Sequence, residues 1–206
     1  HAWSPFIALH AENPAEFHRR LAELLPHLGL IVSGGNTLLF AIDHGRRIAV
    51  QSSTRDDAAA GRIDAYDFPR GIQPNGDLSF SFSGLKTSLR YLVEKLGPAE
   101  VATRLDDLCA SYQQAVIDAL VKKTAAALDR GGYASLGLSG GVSNNRGLRT
   151  ALEKTARERG VAFHAAQPQH TGDNAGMIAF AAWCDPAGCA RDDHFGLTIQ
   201  PDLALG

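Results

Sequence analysis

The stretch that decides the fold reads Leu138-Ser139-Gly140-Gly141-Val142-Ser143-Asn144-Asn145-Arg146. An apolar run over residues 135–138 predicts a strand, and the glycine pair after it predicts a tight turn. Ser143, Asn144 and Asn145 are good N-cap types, and they open a helical pattern over residues 146–159. The glycines let a ligand approach the backbone, and the positive end of a helix favours an anion. The stretch suits a phosphate, with an ordinary strand-to-helix turn as the open alternative.

A second stretch of the same kind lies upstream and reads Leu30-Ile31-Val32-Ser33-Gly34-Gly35-Asn36-Thr37. It again joins an apolar strand to Ser-Gly-Gly, but the residues that follow continue as a strand rather than a helix. The two turns form a weak internal repeat that is suited to holding the phosphates of a nucleotide from two sides. Actin-like nucleotide-binding lobes are built in this way, so the sequence suggests that architecture by analogy.

Composition and charge narrow the class of protein. The chain has 206 residues, of which 45 % are hydrophobic, and it is long enough to bury a full core. Its formal net charge of -2 gives no global sign of a nucleic-acid partner, so any RNA contact is expected to be local. No apolar run reaches the length of a membrane span, and no membrane partner is expected. Three cysteines without a C-x-x-C pair suit a reducing cytosol, so we expect a cytoplasmic protein.

The periodicity of apolar residues predicts an α/β layer. Strands are predicted over residues 28–32, 37–42, 47–51, 135–138 and 161–165, and helices over residues 14–25, 83–96, 99–127, 146–159 and 174–183. Antiparallel strands followed by alternating helices and strands predict a mixed sheet flanked by helices. Residues 1–27 are predicted to be a lead-in, residues 28–185 the main lobe and residues 186–206 a C-terminal extension. Because the sequence begins at His1 rather than Met, we expect a fragment.

A third motif lies at the predicted start of the last helix. It reads Thr171-Gly172-Asp173-Asn174-Ala175-Gly176-Met177-Ile178. Asp173 is favoured as the N-cap of that helix, a role that needs no function. The alternative is a carboxylate metal ligand whose other ligands, histidine being the likeliest type, come from distant residues. Spacing alone leaves both interpretations open.

Five segments of the chain together resemble a known family. They are residues 31–37, 56–59, 80–87, 139–146 and 173–178, and the most distinctive is Phe80-Ser81-Phe82-Ser83-Gly84-Leu85-Lys86-Thr87. In this order they resemble the TsaD family of tRNA N6-adenosine threonylcarbamoyltransferases, formerly regarded as O-sialoglycoprotein endopeptidases or glycopeptidases. The resemblance implies an actin-like ATPase fold (ASKHA, ribonuclease H-like), of which this chain holds the C-terminal lobe while most of the N-terminal lobe is missing.

The resemblance also implies an activity and its partners. The family transfers the threonylcarbamoyl group from threonylcarbamoyl-AMP to N6 of the adenosine adjacent to the anticodon, in tRNAs that read codons beginning with A (t6A modification). The implied partners are tRNA, threonylcarbamoyl-AMP and accessory proteins of the t6A pathway, with the adenylate or ATP/ADP in the cleft. The adenosine amine is the nucleophile, so no protein residue is acylated and no catalytic residue is predicted.

The family's binding residues map onto particular positions of this sequence. The implied substrate-binding residues are Ile31, Val32, Ser33, Gly34, Gly35 and Asn145. The implied metal ligands are Asp173 and His1, where His1 is the second histidine of an H-x-x-x-H pair. The resemblance implies one divalent metal ion per subunit, iron or zinc. A cation there would neutralise phosphate charge and polarise the carbamoyl group, while the glycine turns orient the substrate.

Two departures from the family pattern bear on these expectations. After Asp57-Ala58-Ala59 the chain passes almost directly to Ala65-Tyr66, so a family segment that includes a substrate-binding Asp is expected to be missing near residues 59–62. Asn36 stands where the family usually has His. Two other functions remain as alternatives: an actin-like ATPase or kinase, and a non-catalytic lobe that binds partner proteins of the same family.

Five basic residues could provide the local RNA contact. They are Arg70, Lys86, Arg90, Arg146 and Arg149, and the alternative is that they are scattered surface charges. If the patch is real, Arg149→Glu is predicted to lower tRNA affinity and its dependence on salt.

Overall fold

A computed structural model describes residues 1–34, 36–53, 65–70 and 78–185. These residues form one mixed sheet of the strands β1 (His27–Val32), β2 (Thr37–Ile42), β3 (Ile48–Ser53), β4 (Ser135–Ser139) and β5 (Ala162–Ala165). Their spatial order is β3-β2-β1-β4-β5. The first three strands pair antiparallel, whereas β4 runs parallel to both β1 and β5. The predicted mixed sheet is therefore confirmed, with β1 at its centre.

Six helices accompany the sheet in the described part of the chain. They are α1 (Ile7–Glu12), α2 (Phe17–Glu23), α3 (Ser83–Thr103), α4 (Leu105–Arg130), α5 (Arg146–Glu158) and α6 (Ala175–Cys184). The helical stop predicted after residue 96 is real as a kink, because Gly97 leaves the helical region with φ 74° and ψ 164°. Gly97 therefore separates two helical segments within the range given for α3, and the start of the helix predicted over residues 99–127 is confirmed. That helix is not continuous as predicted, because the backbone of Arg104 is not helical and α4 begins after it.

Two hydrophobic clusters cover the two faces of the sheet. In β1, Leu28, Leu30 and Val32 point into a large cluster with α4 and α5, while Ile31 packs against the other cluster. This alternation follows from the two-residue period of a strand. Sequence periodicity therefore predicted correctly that helices flank the sheet.

Residues 1–27, which the sequence presents as a lead-in, pack on the second face of the sheet. They form α1 and α2, preceded by the short 3-10 turn Ser4–Phe6, where the sequence predicts one helix over residues 14–25. The second cluster consists of Trp3, Phe6, Leu9, Phe17, Leu21, Leu25, Phe40, Ile42 and Cys184. Because Cys184 ends α6, this cluster joins the start of the described chain to its last helix.

A buried histidine ties β1 to β4 at the end where both strands begin. His27 is fully buried, and its Nδ1 lies 2.7 Å from Ser135 Oγ, which itself donates to the carbonyl oxygen of Leu24 at 2.6 Å. Because the single hydroxyl proton of Ser135 is used on Leu24, His27 Nδ1 must carry the donated proton. Burial, and secondarily the nearby His164, lowers the pKa of His27 to about 3. His27 is therefore neutral at physiological pH.

Candidate functional site

The two glycine turns meet at one edge of the sheet. Strands β1 and β4 are parallel neighbours, with Ile31 opposite Ser139 near their carboxyl ends. Both strands therefore deliver their turns to the same edge, and ligands of open α/β sheets bind outside the carboxyl ends of parallel strands. The sequence predicts each turn separately, and the parallel pairing of β1 with β4 places the two turns side by side.

The first turn, between β1 and β2, is stabilised by hydrogen bonds between its own residues. The Ser33 backbone N–H donates to the carbonyl oxygen of Asn36 at 2.8 Å, and the Asn36 N–H donates to Ser33 Oγ at 3.2 Å. These bonds join β1 to β2 as a hairpin. A Cβ added at Gly34 would meet no described residue within 4 Å, so the outer side of this turn is open with respect to the described part of the chain. Gly35, another predicted substrate-binding residue, lies outside the described residues.

The second turn is packed against the end of β1. Gly140 has φ +85°, a conformation that L side chains rarely adopt, and a Cβ added there would lie 2.4 Å from the carbonyl oxygen of Val32. Only glycine fits this position without moving the backbone of either strand. The 3-10 turn Gly141–Asn144 follows, and α5 begins after it. Gly141, in contrast, is open on its Cβ side.

Asn145 is the N-cap of α5. Its Oδ1 accepts from the Leu148 backbone N–H at 3.0 Å, and its Nδ2 donates to Gln113 Oε1 of α4 at 2.7 Å. Of the three predicted cap residues, Asn145 therefore takes the role. Asn144 instead donates from Nδ2 to Thr171 Oγ1 at 2.9 Å. Ser143 is buried, and its Oγ has no hydrogen-bond partner among the residues that the structure describes.

The Asn144–Thr171 bond links the second turn to the third motif. Thr171 Oγ1 donates onward to the carbonyl oxygen of Pro168 at 2.8 Å. The favoured prediction that Asp173 caps α6 is wrong. The cap is Asn174, whose Oδ1 accepts from the Met177 N–H at 2.8 Å. Since the cap position falls one residue later than predicted, the Asp173 carboxylate is left outside the helix.

His1 and Asp173 lie in contact. His1 Nε2 is 2.9 Å from Asp173 Oδ1, although the two residues are 172 positions apart in the chain. The Asp173 side chain is 94 % exposed, whereas His1 Nδ1 is buried and finds no hydrogen-bond partner in the described part of the chain. Imidazole and carboxylate are ligands that iron and zinc both accept, so the donor types fit a divalent metal. Within the described ranges, however, no group of three or more His, Cys, Asp or Glu side chains could hold a metal ion.

Arg149 is half-buried and supports the second turn through hydrogen bonds to backbone carbonyl groups. It donates from Nε to the carbonyl oxygen of Ser143 and from Nη2 to the carbonyl oxygen of Ala166, at the end of β5. Two of its nitrogen donors are therefore used within the protein, and its place in an RNA-facing patch stays a prediction. Arg70 is likewise engaged, since it forms ion pairs with Asp67 at 2.7 Å and Asp118 at 2.8 Å.

The side chains of two other predicted residues, Ile31 and Val32, belong to the hydrophobic clusters. Val32 is buried in the large cluster and Ile31 packs against the second one, so only their main-chain groups can face a ligand at the strand end. Gln113 and Thr171 are site neighbours that sequence reasoning missed. No local signal marks Gln113, because its contact with Asn145 spans 32 residues of sequence.

Two further predictions concern parts of the chain that the structure does not describe. The segment expected to be missing near residues 59–62 and the extension over residues 186–206 lie outside the described residues. Across the ranges that are described, no helix has both the length and the apolar character that crossing a bilayer requires.

Comparison with known proteins gives consistent matches. The sequence model of the family described as "TsaD: tRNA N6-adenosine threonylcarbamoyltransferase" matches residues 6–180. A protein of that name from Pelobacter propionicus is 37 % identical and covers 87 % of this chain, which spans 57 % of that relative. Similar relatives of the same name come from Anaeromyxobacter (40 % identity, 81 % of this chain, 58 % of the relative) and Variovorax paradoxus (36 %, 88 % and 56 %). The chain thus spans little more than half the length of these relatives.

Proposed function

The chain belongs to the TsaD family, and on that basis we propose that it forms the C-terminal, substrate-binding lobe of a tRNA threonylcarbamoyladenosine transferase. The α/β lobe with a mixed sheet between helices is the one expected of this family's actin-like fold. The observation that supports the proposal is the convergence of the Ser33 turn, the Gly140 turn and the N-terminus of α5 at the carboxyl ends of β1 and β4.

The geometry of this edge suits the phosphate of threonylcarbamoyl-AMP. Open space outside Gly34 and Gly141 allows an anion to reach the backbone N–H groups of both turns. The thirteen-residue helix α5 adds its positive end at Asn145. Anchoring the phosphate at these turns would orient the carbamoyl carbonyl for attack, which is a positioning contribution to the rate.

The proposed reaction needs no covalent intermediate with the protein. The N6 amine of the tRNA adenosine attacks the carbamoyl carbon, so that a C–N bond forms while the bond to the phosphate oxygen breaks. AMP leaves with that oxygen, and the amine gives up one proton to solvent. The serines at the edge have other roles: Ser33 closes its own turn, and Ser139 and Ser143 are buried.

Two residues of this chain are proposed to bind a divalent metal ion. His1 and Asp173 would supply a nitrogen and an oxygen ligand, together with donors from outside the described residues. Iron or zinc bound there would neutralise phosphate charge and polarise the carbonyl group. We include tRNA and accessory proteins of the t6A pathway as partners and place the reaction in the cytoplasm, where tRNA is modified. The family match does not favour a kinase, an ATPase or a non-catalytic lobe.

A chimera tests the proposed function. The part of the Pelobacter propionicus relative that this chain matches would be replaced by this chain, and the product would be incubated with threonylcarbamoyl-AMP, accessory proteins and a tRNA transcript. Mass spectrometry of the digested tRNA is expected to detect threonylcarbamoyladenosine, and Asn145→Ala is expected to lower its yield at least tenfold. A correctly folded chimera that binds AMP but forms no modified nucleoside would contradict the proposal.

A further inference from the structure

The side chain of Asn145 is held from two sides. Its oxygen accepts from the Leu148 N–H, and one of its two Nδ2 hydrogens goes to Gln113 Oε1. An amide group carries two N–H donors, and within the described ranges the second Nδ2 hydrogen meets no acceptor. The orientation of the amide, and with it the direction of that second hydrogen, depends on both partners.

Gln113 can reach Asn145 because α4 and α5 approach each other closely at this point. Gln113 and Ile117 lie on the same face of α4, four residues apart. Ile117 packs at the first turn of α5, where a Cβ added to Gly147 would lie 3.2 Å from Ile117 Cδ1. The same Cβ would lie 3.3 Å from Asn145 Oδ1. The glycine at position 147 therefore brings the two helices near enough for the 2.7 Å bond from Asn145 to Gln113.

We propose that Gln113 is a positioning residue for the substrate site, acting through Asn145. By accepting one Nδ2 hydrogen, it fixes the Asn145 amide in the orientation that caps α5 and leaves the second hydrogen for the ligand. This inference rests on the proposed function, which makes Asn145 a substrate-binding residue. Without Gln113, the Asn145 Nδ2 group would be free to rotate or to bind water. Ligand binding would then have to restore its orientation, which lowers the affinity.

The neighbouring residue provides a matched control. Gln114 is half-buried, like Gln113, and lies on the same helix, but its Nε2 donates to Asp118 Oδ1 at 2.7 Å within α4. Replacing either glutamine by leucine removes a side-chain hydrogen bond of similar length from the same helix. Only Gln113→Leu removes a bond to Asn145, so a difference between the two variants reports on that contact.

The experiment uses the chain itself with AMP as the probe. Calorimetry would give the AMP dissociation constant of the wild type and of Gln113→Leu, Gln114→Leu, Asn145→Ala and the Gln113→Leu/Asn145→Ala double variant. Gln113→Leu is expected to weaken AMP binding about threefold to tenfold, the effect of one hydrogen bond. Gln114→Leu is expected to leave binding unchanged. In the Asn145→Ala background, Gln113→Leu is expected to have no further effect.

A second readout keeps the test independent of nucleotide binding. The side-chain amide signals of Asn145 in 15N–1H spectra are expected to shift and to exchange faster with solvent in Gln113→Leu. In Gln113→Glu, which retains an acceptor oxygen, they are expected to stay slow to exchange. If these signals do not change in Gln113→Leu, or if that substitution weakens AMP binding equally in the Asn145→Ala background, the positioning role is wrong. If the wild type fails to bind AMP although the signals behave as expected, the failure lies with the proposed adenylate site.

Discussion

The two Ser-Gly-Gly turns share a sequence signature but are held in different ways. The turn after β1 is closed by its own residues, since Ser33 and Asn36 bond to each other. The turn after β4 is held by residues outside it. Gly140 packs on Val32, and Arg149 of the following helix binds Ser143. Asn144 and Asn145 bond to the more distant Thr171 and Gln113. A short motif therefore fixes the local course of the backbone, whereas the surrounding fold decides how firmly the turn is held. We expect substitutions around the second turn to lower stability much more than substitutions around the first turn.

The largest difference is expected between the glycines of the two turns. Gly140→Ala adds a Cβ 2.4 Å from the Val32 carbonyl oxygen at a positive φ, and should destabilise the protein by about 3 kcal/mol or more. Gly34→Ala meets open space and should cost about 0.5 kcal/mol or less. Urea unfolding of both variants measures the difference. Gly160→Ala controls for positive φ without a collision and should cost about 1 kcal/mol. If Gly34→Ala and Gly140→Ala lose the same stability, the two turns are not held differently.

Removal of the Arg149 guanidinium should loosen the second turn alone. Arg149→Met leaves the carbonyl oxygens of Ser143 and Ala166 without their charged donor, and should cost about 2–3 kcal/mol. The exposed neighbour Arg146 is the matched control, and Arg146→Met should change stability by about 0.5 kcal/mol or less. Hydrogen exchange should quicken at residues 140–145 but not at residues 33–36. Faster exchange at both turns would show that they are coupled, contrary to this account.

Mild acid should loosen both turns together, because His27 ties together the two strands that carry them. The pKa of His27 is about 3 in the folded chain and about 6.5 in the unfolded chain, so the unfolded state binds a proton first as the pH falls. Stability is therefore complete above pH ~6.5 and decreases by at most about 1.4 kcal/mol per pH unit below it, which gives about 2 kcal/mol at pH ~5.

Urea unfolding at several pH values measures this loss. His27→Gln cannot titrate in this range, so the pH dependence of its stability between pH ~5 and ~7 should be flatter than that of the wild type. Other groups, including the half-buried His164 with its lowered pKa, remain in both proteins and cancel in the difference. If stability falls equally with pH in the wild type and in His27→Gln, protonation of His27 is not the cause of the loss.

The smallest effect is expected at the bond between the second turn and the third motif. Thr171→Val removes the acceptor for Asn144 and the donor to Pro168, and should cost about 1 kcal/mol. Thr150→Val, on the exposed side of α5, should be neutral within about 0.5 kcal/mol. Thermal unfolding compares the two variants. If Thr150→Val costs as much as Thr171→Val, the loss reflects the change of residue type rather than the bond to Asn144.

The elements that sequence predicted well are those whose signals are local. The five strands follow from runs of apolar residues, and the N-cap region of α5 follows from its polar residues. The stop at Gly97 follows from a glycine next to a proline. Each of these depends on residues within one turn of helix or one strand.

What the sequence left open or misplaced depends on contacts and backbone geometry that only the fold supplies. Arg149 has the appearance of a surface charge in a helix, and only the position of β5 shows that it binds two backbone carbonyl groups. Asn174 and Asp173 are both good caps, and the backbone at residue 174 decided between them. The resemblance implies His1 and Asp173 as metal ligands, whereas their direct contact is visible only in the structure, because no periodicity connects residues 172 positions apart.

Both turns together are proposed to form the phosphate-binding edge. Titration of the 15N-labelled chain with AMP, followed by backbone amide shifts, distinguishes this arrangement from binding at a single turn. We predict saturable shifts at Gly34 and Asn36 of the first turn and at Gly140, Gly141 and Asn145 of the second, all with the same dissociation constant. Shifts confined to one turn, or located away from the carboxyl ends of β1 and β4, would contradict the account.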